Sequence, residues 1–426
     1  MLVIVLFIAL FVLLAIGAPI GVALAGSSLI YIVLAGTTPD IVVVHRIVNG
    51  VDSFPLLAVP FFILAGNLMN TAGITEKIYN FATALVGWLK GGLGHVNVIG
   101  SVIFAGMSGT AVADAGGLGT IEIKAMTDHG YDKKFAVGIT AASSTIGPII
   151  PPSLPMVIYG VQSNTSIGQL FAAGFIPGFI MAGFMMATVA WYAHRYHWNR
   201  DATFSASVLG HTFLRAIPAL MTPFLIIGGM SFGWFTPTEA AVAACAWALV
   251  LGVVIDRTID VRRFIRVSFD TLETTAVVLF IVGASSIFGW ILTQTRTTEL
   301  IADTLLSVSD NPIMILIMIN IILLIVGCFL ETIAAITILV PVFLPIILKL
   351  NIDPVHFGVM MVLNLMIGLL TPPVGMVLFV LARVANMSFE DTVKACAPFL
   401  IPLLLALVIV TFVPSVTLYL PTLLYR

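Results

Sequence analysis

The sequence predicts an all-α polytopic membrane protein with inverted-topology repeats, two re-entrant helical hairpins and two broken helices. Three observations carry this expectation: an apolar composition, a helix-breaking motif that occurs twice, and a one-sided distribution of basic residues. Of 426 residues, 60% are hydrophobic and 9% are charged, where a soluble protein carries roughly 25% charged residues. Mean hydropathy is +1.15. At about 20 apolar residues per crossing, the chain is long enough for roughly ten or more spans. The net charge of −2 leaves no nucleic-acid footprint.

Taken in order, apolar runs predict helices at 2–16, 19–36, 54–70, 93–106, 114–127, 135–146, 153–163, 167–193, 212–232 and 237–255. They continue at 273–293, 312–327, 331–348, 355–366, 374–385 and 396–421. The first run is too long for a cleavable signal and lacks a basic leader. It is interrupted at Gly17-Ala18-Pro19-Ile20-Gly21. Several segments are too short to span about 30 Å at 1.5 Å per residue. They fall in pairs, 93–106 with 114–127 and 312–327 with 331–348, which predicts two re-entrant hairpins. Such backbone is tolerated at membrane depth where it is buried in protein or lines a polar cavity. Segments 38–52, 75–90, 258–270 and 297–310 mix charged and apolar residues. They read as amphipathic interfacial helices or as polar loops.

The breaks are Ile146-Gly147-Pro148-Ile149-Ile150-Pro151-Pro152 and Ile367-Gly368-Leu369-Leu370-Thr371-Pro372-Pro373. Proline lacks an amide proton and clashes with the preceding turn, so neither stretch can remain helical. The two copies are 221 residues apart, and the same register pairs Gly106 with Gly327, Ala113 with Ala334, Leu118 with Leu339 and Asp132 with Asp353. Upstream, an offset of 223 pairs Gly66 with Gly289 and Thr75-Glu76 with Thr298-Glu299. A duplication follows: an N-terminal half over 1–200, a connecting segment and span over 201–235, and a second repeat over 236–426. The hairpins are expected near 93–127 and 312–348, and the broken helices near 135–163 and 355–385.

Basic residues test the orientation. With Arg257, Arg262, Arg263 and Arg266 cytoplasmic, Lys77, Lys90, Lys124, Lys133, Lys134, Arg195, Arg200, Arg215, Arg383 and Lys394 also fall inside. Only Arg46, Arg296, Lys349 and Arg426 fall outside, a ratio of 14 to 4 that satisfies the positive-inside rule. The hairpins then enter from opposite sides, and the repeats are antiparallel. Paired helix breaks in inverted repeats are the sequence pointer to a transporter's central site.

At the first hairpin turn the candidates are Ser108, Gly109 and Thr110, followed by Asp114; at the first break they are Ser143, Ser144, Thr145, Ile146 and Gly147. The second repeat offers Gly327, Glu331 and Thr332 at its turn, and Asn364, Gly368 and Thr371 at its break. Hydroxyls and free carbonyls can replace the hydration shell of a sodium ion. Two pseudo-symmetric cation sites are therefore expected, each between a hairpin tip and a broken helix. Ser108, Gly109, Thr110, Thr145, Ile146 and Gly147 would form one, and Gly327, Glu331, Thr332, Gly368 and Thr371 the other. An anionic substrate would lie between them, near Ser143, Ser144, Asn364 and Asp114. Small residues and hydroxyls also serve close helix packing, and Asp114 also suits the first turn of a returning helix.

Enzyme chemistry has little support. Gly106-Met107-Ser108-Gly109 fits the pattern around the serine nucleophile of rhomboid proteases, but that chemistry needs a histidine base. His45, His95, His129, His194, His197, His211 and His356 all sit near predicted helix ends or loops. There is no zinc-protease signature or Walker A loop. Cys245, Cys328 and Cys396 lie far apart in apolar segments, as buried small hydrophobes do. No cofactor is expected beyond sodium as coupling ion.

The chain resembles the large membrane subunit of tripartite ATP-independent periplasmic (TRAP) transporters along essentially its whole length. The resemblance rests on Val59-Pro60-Phe61-Phe62-Ile63-Leu64-Ala65-Gly66 with Met69, on the run Gly106 to Asp114, on Ile146 to Ser153, and on Thr371-Pro372-Pro373-Val374-Gly375. It implies an elevator-type, sodium-coupled importer of organic acids, of the sialic acid or C4-dicarboxylate class, in a bacterial inner membrane. It also implies a periplasmic substrate-binding protein and a small four-helix membrane subunit as partners. Because the chain starts directly with the large-subunit pattern, the small subunit is expected as a separate polypeptide. Hairpins and broken helices would form the moving unit, and interfacial helices and long spans the scaffold. A stand-alone sodium–dicarboxylate symporter is the nearest alternative, and a channel is disfavoured because no continuous polar pore helix is present.

Overall fold

The computed structural model describes residues 2–36, 38–39, 41–309 and 311–425, the side chains of Met107, Ser108 and Val308 excepted. Among the described residues the chain is helical, with no strand beyond a single bridge between Lys90 and Arg200. The first half contains α1 (Leu2–Ala15), α2 (Ile20–Ala35), α3 (Ile41–Val51), α4 (Ala58–Thr71) and α5 (Ile74–Val86). It continues with α6 (Gly92–Ser108), α7 (Ala111–Gly116), α8 (Leu118–Asp128), α9 (Lys133–Ser144), α10 (Leu154–Ser163) and α11 (Ile167–Arg195). α12 (Ala206–Ser231) connects to α13 (Pro237–Leu249), α14 (Val261–Gln294) and α15 (Thr297–Val308). Then come α16 (Pro312–Phe329), α17 (Thr332–Lys349), α18 (Pro354–Gly368), α19 (Met376–Val384), α20 (Phe389–Phe412) and α21 (Pro414–Leu424). Eight helices among the described residues are long and apolar enough to cross a membrane. This is a multi-pass membrane protein.

The two halves share the order hairpin, broken helix, long helix, and the starts of these elements fall on matched residues. Thr110 and Glu331, 221 apart, are both N-caps of a hairpin's returning limb. Asp132 and Asp353 both cap the first part of a broken helix, accepting from Lys134 N at 3.2 Å and Val355 N at 2.7 Å. Ser166 and Ser388 cap the long helix that follows, and Asn164 and Asn386 are both left-handed just before it. Capping side chains satisfy amide donors that a helix start leaves orphaned. Matched caps therefore terminate helices at matched places.

Three expectations are corrected. The polar stretch 258–270 is not a separate interfacial helix: from the Asp260 cap, α14 runs 34 residues without a breaker. Its first-repeat counterpart is divided into α3 and α4, because Pro55 forces a 3₁₀ turn at Phe54–Leu57. The expected helix at 396–421 starts earlier, at the Ser388 cap, and is interrupted at Val413, where Pro414 opens α21. The limb expected at 114–127 is split at Gly117 into α7 and α8. The amphipathic segments at 38–52, 75–90 and 297–310 form α3, α5 and α15.

Packing separates two groups of helices. α2, α3, α4, α12, α13 and α14 pack on one another, whereas both hairpins and both broken helices pack together with α11, α20 and α21. The long helices α11 and α20 pack with the hairpins, and the long helices α12 and α14 with the other group. The groups also pack on each other directly, α14 on α17, α4 and α12 on α6, and α10 on α4, with α5 and α15 lying across the same boundary. Residues expected on one membrane face also meet: Lys77 pairs with Asp256, Lys134 with Asp391 at 3.6 Å, and Lys133 reaches Asn386 O at 3.4 Å. Arg46, expected on the other face, lies 5.0 Å over the Trp290 ring. Arg426 lies outside the described residues.

Candidate functional site

Each hairpin tip docks against the break of its own repeat through the backbone. Gly109 O accepts from Leu154 N at 3.4 Å, and Cys328 O accepts from Val374 N at 3.2 Å and Gly375 N at 3.4 Å. In both cases the donor lies just beyond the Pro-Pro pair, whose peptide bond is cis. Only glycine fits at the second contact: a Cβ on Gly368 would lie 2.5 Å from the Gly327 carbonyl carbon. At the first tip Gly109 has φ +62°, where side chains with a Cβ are strained, and a Cβ there would meet Pro152 O at 3.0 Å.

Both tips converge on one small cavity of about 40 Å³, lined by Thr110, Ala111, Val112, Pro148, Pro155, Glu331, Thr332, Ile333, Met366 and Leu369. That volume admits one to a few waters or an ion, on the scale of about 10–15 Å³ per water centre. Thr110 faces this space from its capping position, where its hydroxyl accepts from Ala113 N at 3.3 Å. Glu331 Oε2 accepts from Ile333 N at 2.9 Å and Ala334 N at 3.3 Å. The Thr332 hydroxyl is buried without a partner among the described residues. A carboxylate at a helix start is favoured by the N-terminal dipole, here that of the 18-residue α17. The corresponding α7 has only six residues, and its dipole is correspondingly small.

The structure brings together Thr110, Glu331 and Thr332, with Gly327 and Gly368 in contact behind them. Thr145, Ile146 and Gly147 form a buried turn next to Pro148: Ile146 N donates to Ser143 O at 2.9 Å and Gly147 N to Ser144 O at 3.3 Å. Ser144 and Thr145 donate their hydroxyls to Ala141 O and Ala142 O at 2.8 and 2.6 Å, leaving oxygen lone pairs free to accept. Thr371 does the same toward Ile367 O at 2.9 Å. The first break is buried throughout, whereas Thr371, Pro372, Pro373 and Val374 are partly or fully exposed. The Ser108 side chain lies outside the described residues.

Four predicted residues are placed elsewhere. Asp114 is buried on α7 with one carboxyl oxygen unpartnered, and it does not line the cavity. Ser144 faces its own helix. Ser143 donates to Asn97 Oδ1 at 2.7 Å, and Asn364 donates to Asn320 O and Oδ1 at 3.0 and 2.7 Å. These last two are one symmetric contact: residues 221 apart on the broken helices bind asparagines 223 apart on the hairpins' entering limbs. Sequence reasoning missed Asn97 and Asn320. Their signal was a lone amide in an apolar helix, which needs a partner wherever it is buried.

The chain is similar to known transport proteins over nearly all its length. The family model described as "Tripartite ATP-independent periplasmic transporter, DctM component" matches residues 7–416. The sialic acid TRAP transporter large permease protein SiaM of Vibrio cholerae is 46% identical over 96% of this chain and 95% of its own length. The sialic acid TRAP transporter permease protein SiaT of Haemophilus influenzae is 43% identical over 96% of this chain, which spans 66% of that protein. The C4-dicarboxylate TRAP transporter large permease protein DctM of Rhodobacter capsulatus is 33% identical, with 96% of each covered. Among solved structures, the YdaH transporter of Alcanivorax borkumensis has a similar fold, with TM-score 0.62, 14% identity and 86% of each chain covered. These relatives are permeases, so the serine-protease alternative is set aside and the protein is a transporter rather than an enzyme. With its hairpins, breaks and caps matching in two copies, the chain belongs to the DctM family of TRAP transporter large permease components.

Proposed function

We propose that the protein imports an organic acid, of the sialic acid class, by sodium-coupled secondary transport across the bacterial inner membrane. The observation that carries this reading is a small cavity between the hairpin tips, with Thr110 on one side and Glu331 and Thr332 on the other. A carboxylate held at membrane depth without a basic partner is costly, and a cation offsets that cost. Thr332 Oγ1, buried and unpartnered, and the free lone pairs of Thr145 and Thr371 suit the oxygen ligation of sodium. Sodium is cargo here, carried with the substrate. The 46% identical sialic acid permease supports that substrate over a C4-dicarboxylate, whose permease is 33% identical.

In this reading a periplasmic binding protein delivers the anion and a small membrane subunit completes the complex. Hairpins and broken helices move as one elevator body against the group around α2–α4 and α12–α14. The test is uptake of labelled sialic acid into proteoliposomes containing the complex, with and without binding protein, under sodium or potassium gradients. Uptake is expected only with both sodium and the binding protein. Full uptake in potassium overturns the coupling. Full uptake without binding protein favours a stand-alone symporter.

A further inference from the structure

We propose that Glu122 is a proton-binding site inside the first repeat, linked through Asn97 to the end of the first broken helix. Glu122 lies on α8 and is 1% exposed. Its Oε2 accepts from Asn97 Nδ2 at 2.6 Å, while Oε1 has no partner among the described residues. Oε1 is set against Gly100, where an added Cβ would lie 2.8 Å from it and 3.3 Å from a Leu118 methyl. No basic side chain among the described residues forms an ion pair with it. An ionised carboxylate here would be desolvated and uncompensated, and a proton on Oε1 removes that penalty. Sodium needs several free oxygen ligands, whereas the nearby oxygens of Asn97, Thr140 and Ser143 are already engaged in hydrogen bonds to one another.

The surrounding titratable groups reinforce the choice. Asp114 on α7 lies near enough to act on Glu122 by charge, and it is a second acid. Tyr79 on α5 also lies within reach of its charge. His95 on α6 is buried with Nδ1 unpartnered. α9 offers Thr140 and Ser143, while its lysines, Lys133 and Lys134, are exposed at its start. The repeat supplies a control within the molecule. At the 221-residue offset, Glu122 corresponds to Phe343, which is 2% exposed on α17. An apolar side chain fills this position in the second copy, so packing alone does not demand an acid in the first.

Occupancy of this site is relayed by a short path. Asn97 Nδ2 also donates to Thr140 Oγ1 at 2.7 Å, and its Oδ1 accepts from Ser143 Oγ at 2.7 Å. Ser143 stands two residues before Thr145 at the break. Asn97 therefore joins Glu122 to the loop next to the central cavity.

The inference is independent of which ion drives transport, and its test does not use uptake. Infrared spectra of the full chain in lipid at neutral pH, in water and in deuterium oxide, are expected to show the carbonyl stretch of a protonated carboxylic acid. Glu122→Gln should lose that band, and Asp114→Asn should retain it. A wild type without the band, or an unchanged band in Glu122→Gln, overturns the proposal. Should the glutamine variant not accumulate, Glu122→Met, which follows the apolar choice of Phe343, must show the same loss.

Discussion

Gly368→Ala tests the contact between the second hairpin tip and its break. The added methyl would lie 2.5 Å from the Gly327 carbonyl carbon, 2.6 Å from its Cα and 2.8 Å from its oxygen. All three are backbone atoms, so no side-chain rotation relieves the overlap. Restoring ordinary contact requires the hairpin to lift by about 0.9 Å. That lift stretches the bonds from Val374 N and Gly375 N to Cys328 O, already 3.2 and 3.4 Å long. Overpacking of this kind costs about 1–3 kcal/mol, and the immovable partner places this site at the upper end. If half of that cost falls on the state that binds sodium, the half-saturating sodium concentration rises about tenfold, at about 1.4 kcal/mol per decade. The assay is thermal unfolding with and without sodium, with sodium titration of uptake. Gly183→Ala serves as control, since among the described residues nothing beyond its chain neighbours and its own helix backbone lies within 4 Å of its Cβ position. A Gly368→Ala protein that matches this control in both measurements refutes the reasoning.

Glu331→Gln keeps the length of the capping side chain but removes its charge, so sodium dependence should weaken by about tenfold or more while the fold survives; an unchanged sodium titration rules Glu331 out as a ligand. Glu331→Ala additionally loses the cap, for a further stability loss of about 1 kcal/mol in thermal unfolding. Asn320→Ala removes the side-chain acceptor of the buried Asn364 amide and leaves it the Asn320 backbone carbonyl, a loss of about 0.5–1.5 kcal/mol. In a double-mutant cycle with Asn364→Ala the two losses should be clearly less than additive, and additivity would show that the contact is not made. Lys77→Ala removes the partner of Asp256 in a partly buried ion pair and should cost about 1–3 kcal/mol; an unchanged unfolding temperature would show that the pair carries no stability.

The parts legible in the sequence were those decided by residue type at one position. Pro-Pro ends a helix wherever it falls, and Asp132 and Asp353 cap one for local reasons, so breaks, caps and the 221-residue register could be read directly. Helix length was less legible where polarity and breaking diverge. The charged start of α14 looked interfacial, yet it contains no residue that stops a helix; α20 passes through Pro398 and Pro402 but ends before Pro414, inside a run that hydropathy treats as continuous. At the site, Thr110, Glu331 and Thr332 were legible because turn residues face the turn. Ser143 and Asn364 were assigned to substrate because polarity alone was visible. Their partners, Asn97 and Asn320, are 46 and 44 residues away, and only the fold brings them close.

The unlike capping residues at the two tips carry a consequence for the membrane potential. On the sodium-coupled reading, the second tip brings its own negative charge in Glu331 and becomes neutral when it holds a monovalent cation. The first tip, capped by the neutral Thr110, becomes positive when loaded. Voltage acts on moving charge at about 2.3 kcal/mol per elementary charge per 100 mV across the full field. A potential negative inside therefore pulls the loaded first site inward and resists the inward passage of an empty second site. Glu331 returns with its tip, so its charge cancels over a full cycle: hydroxyl against carboxylate decides which step the voltage acts on, while the ions and the substrate anion set the net charge carried.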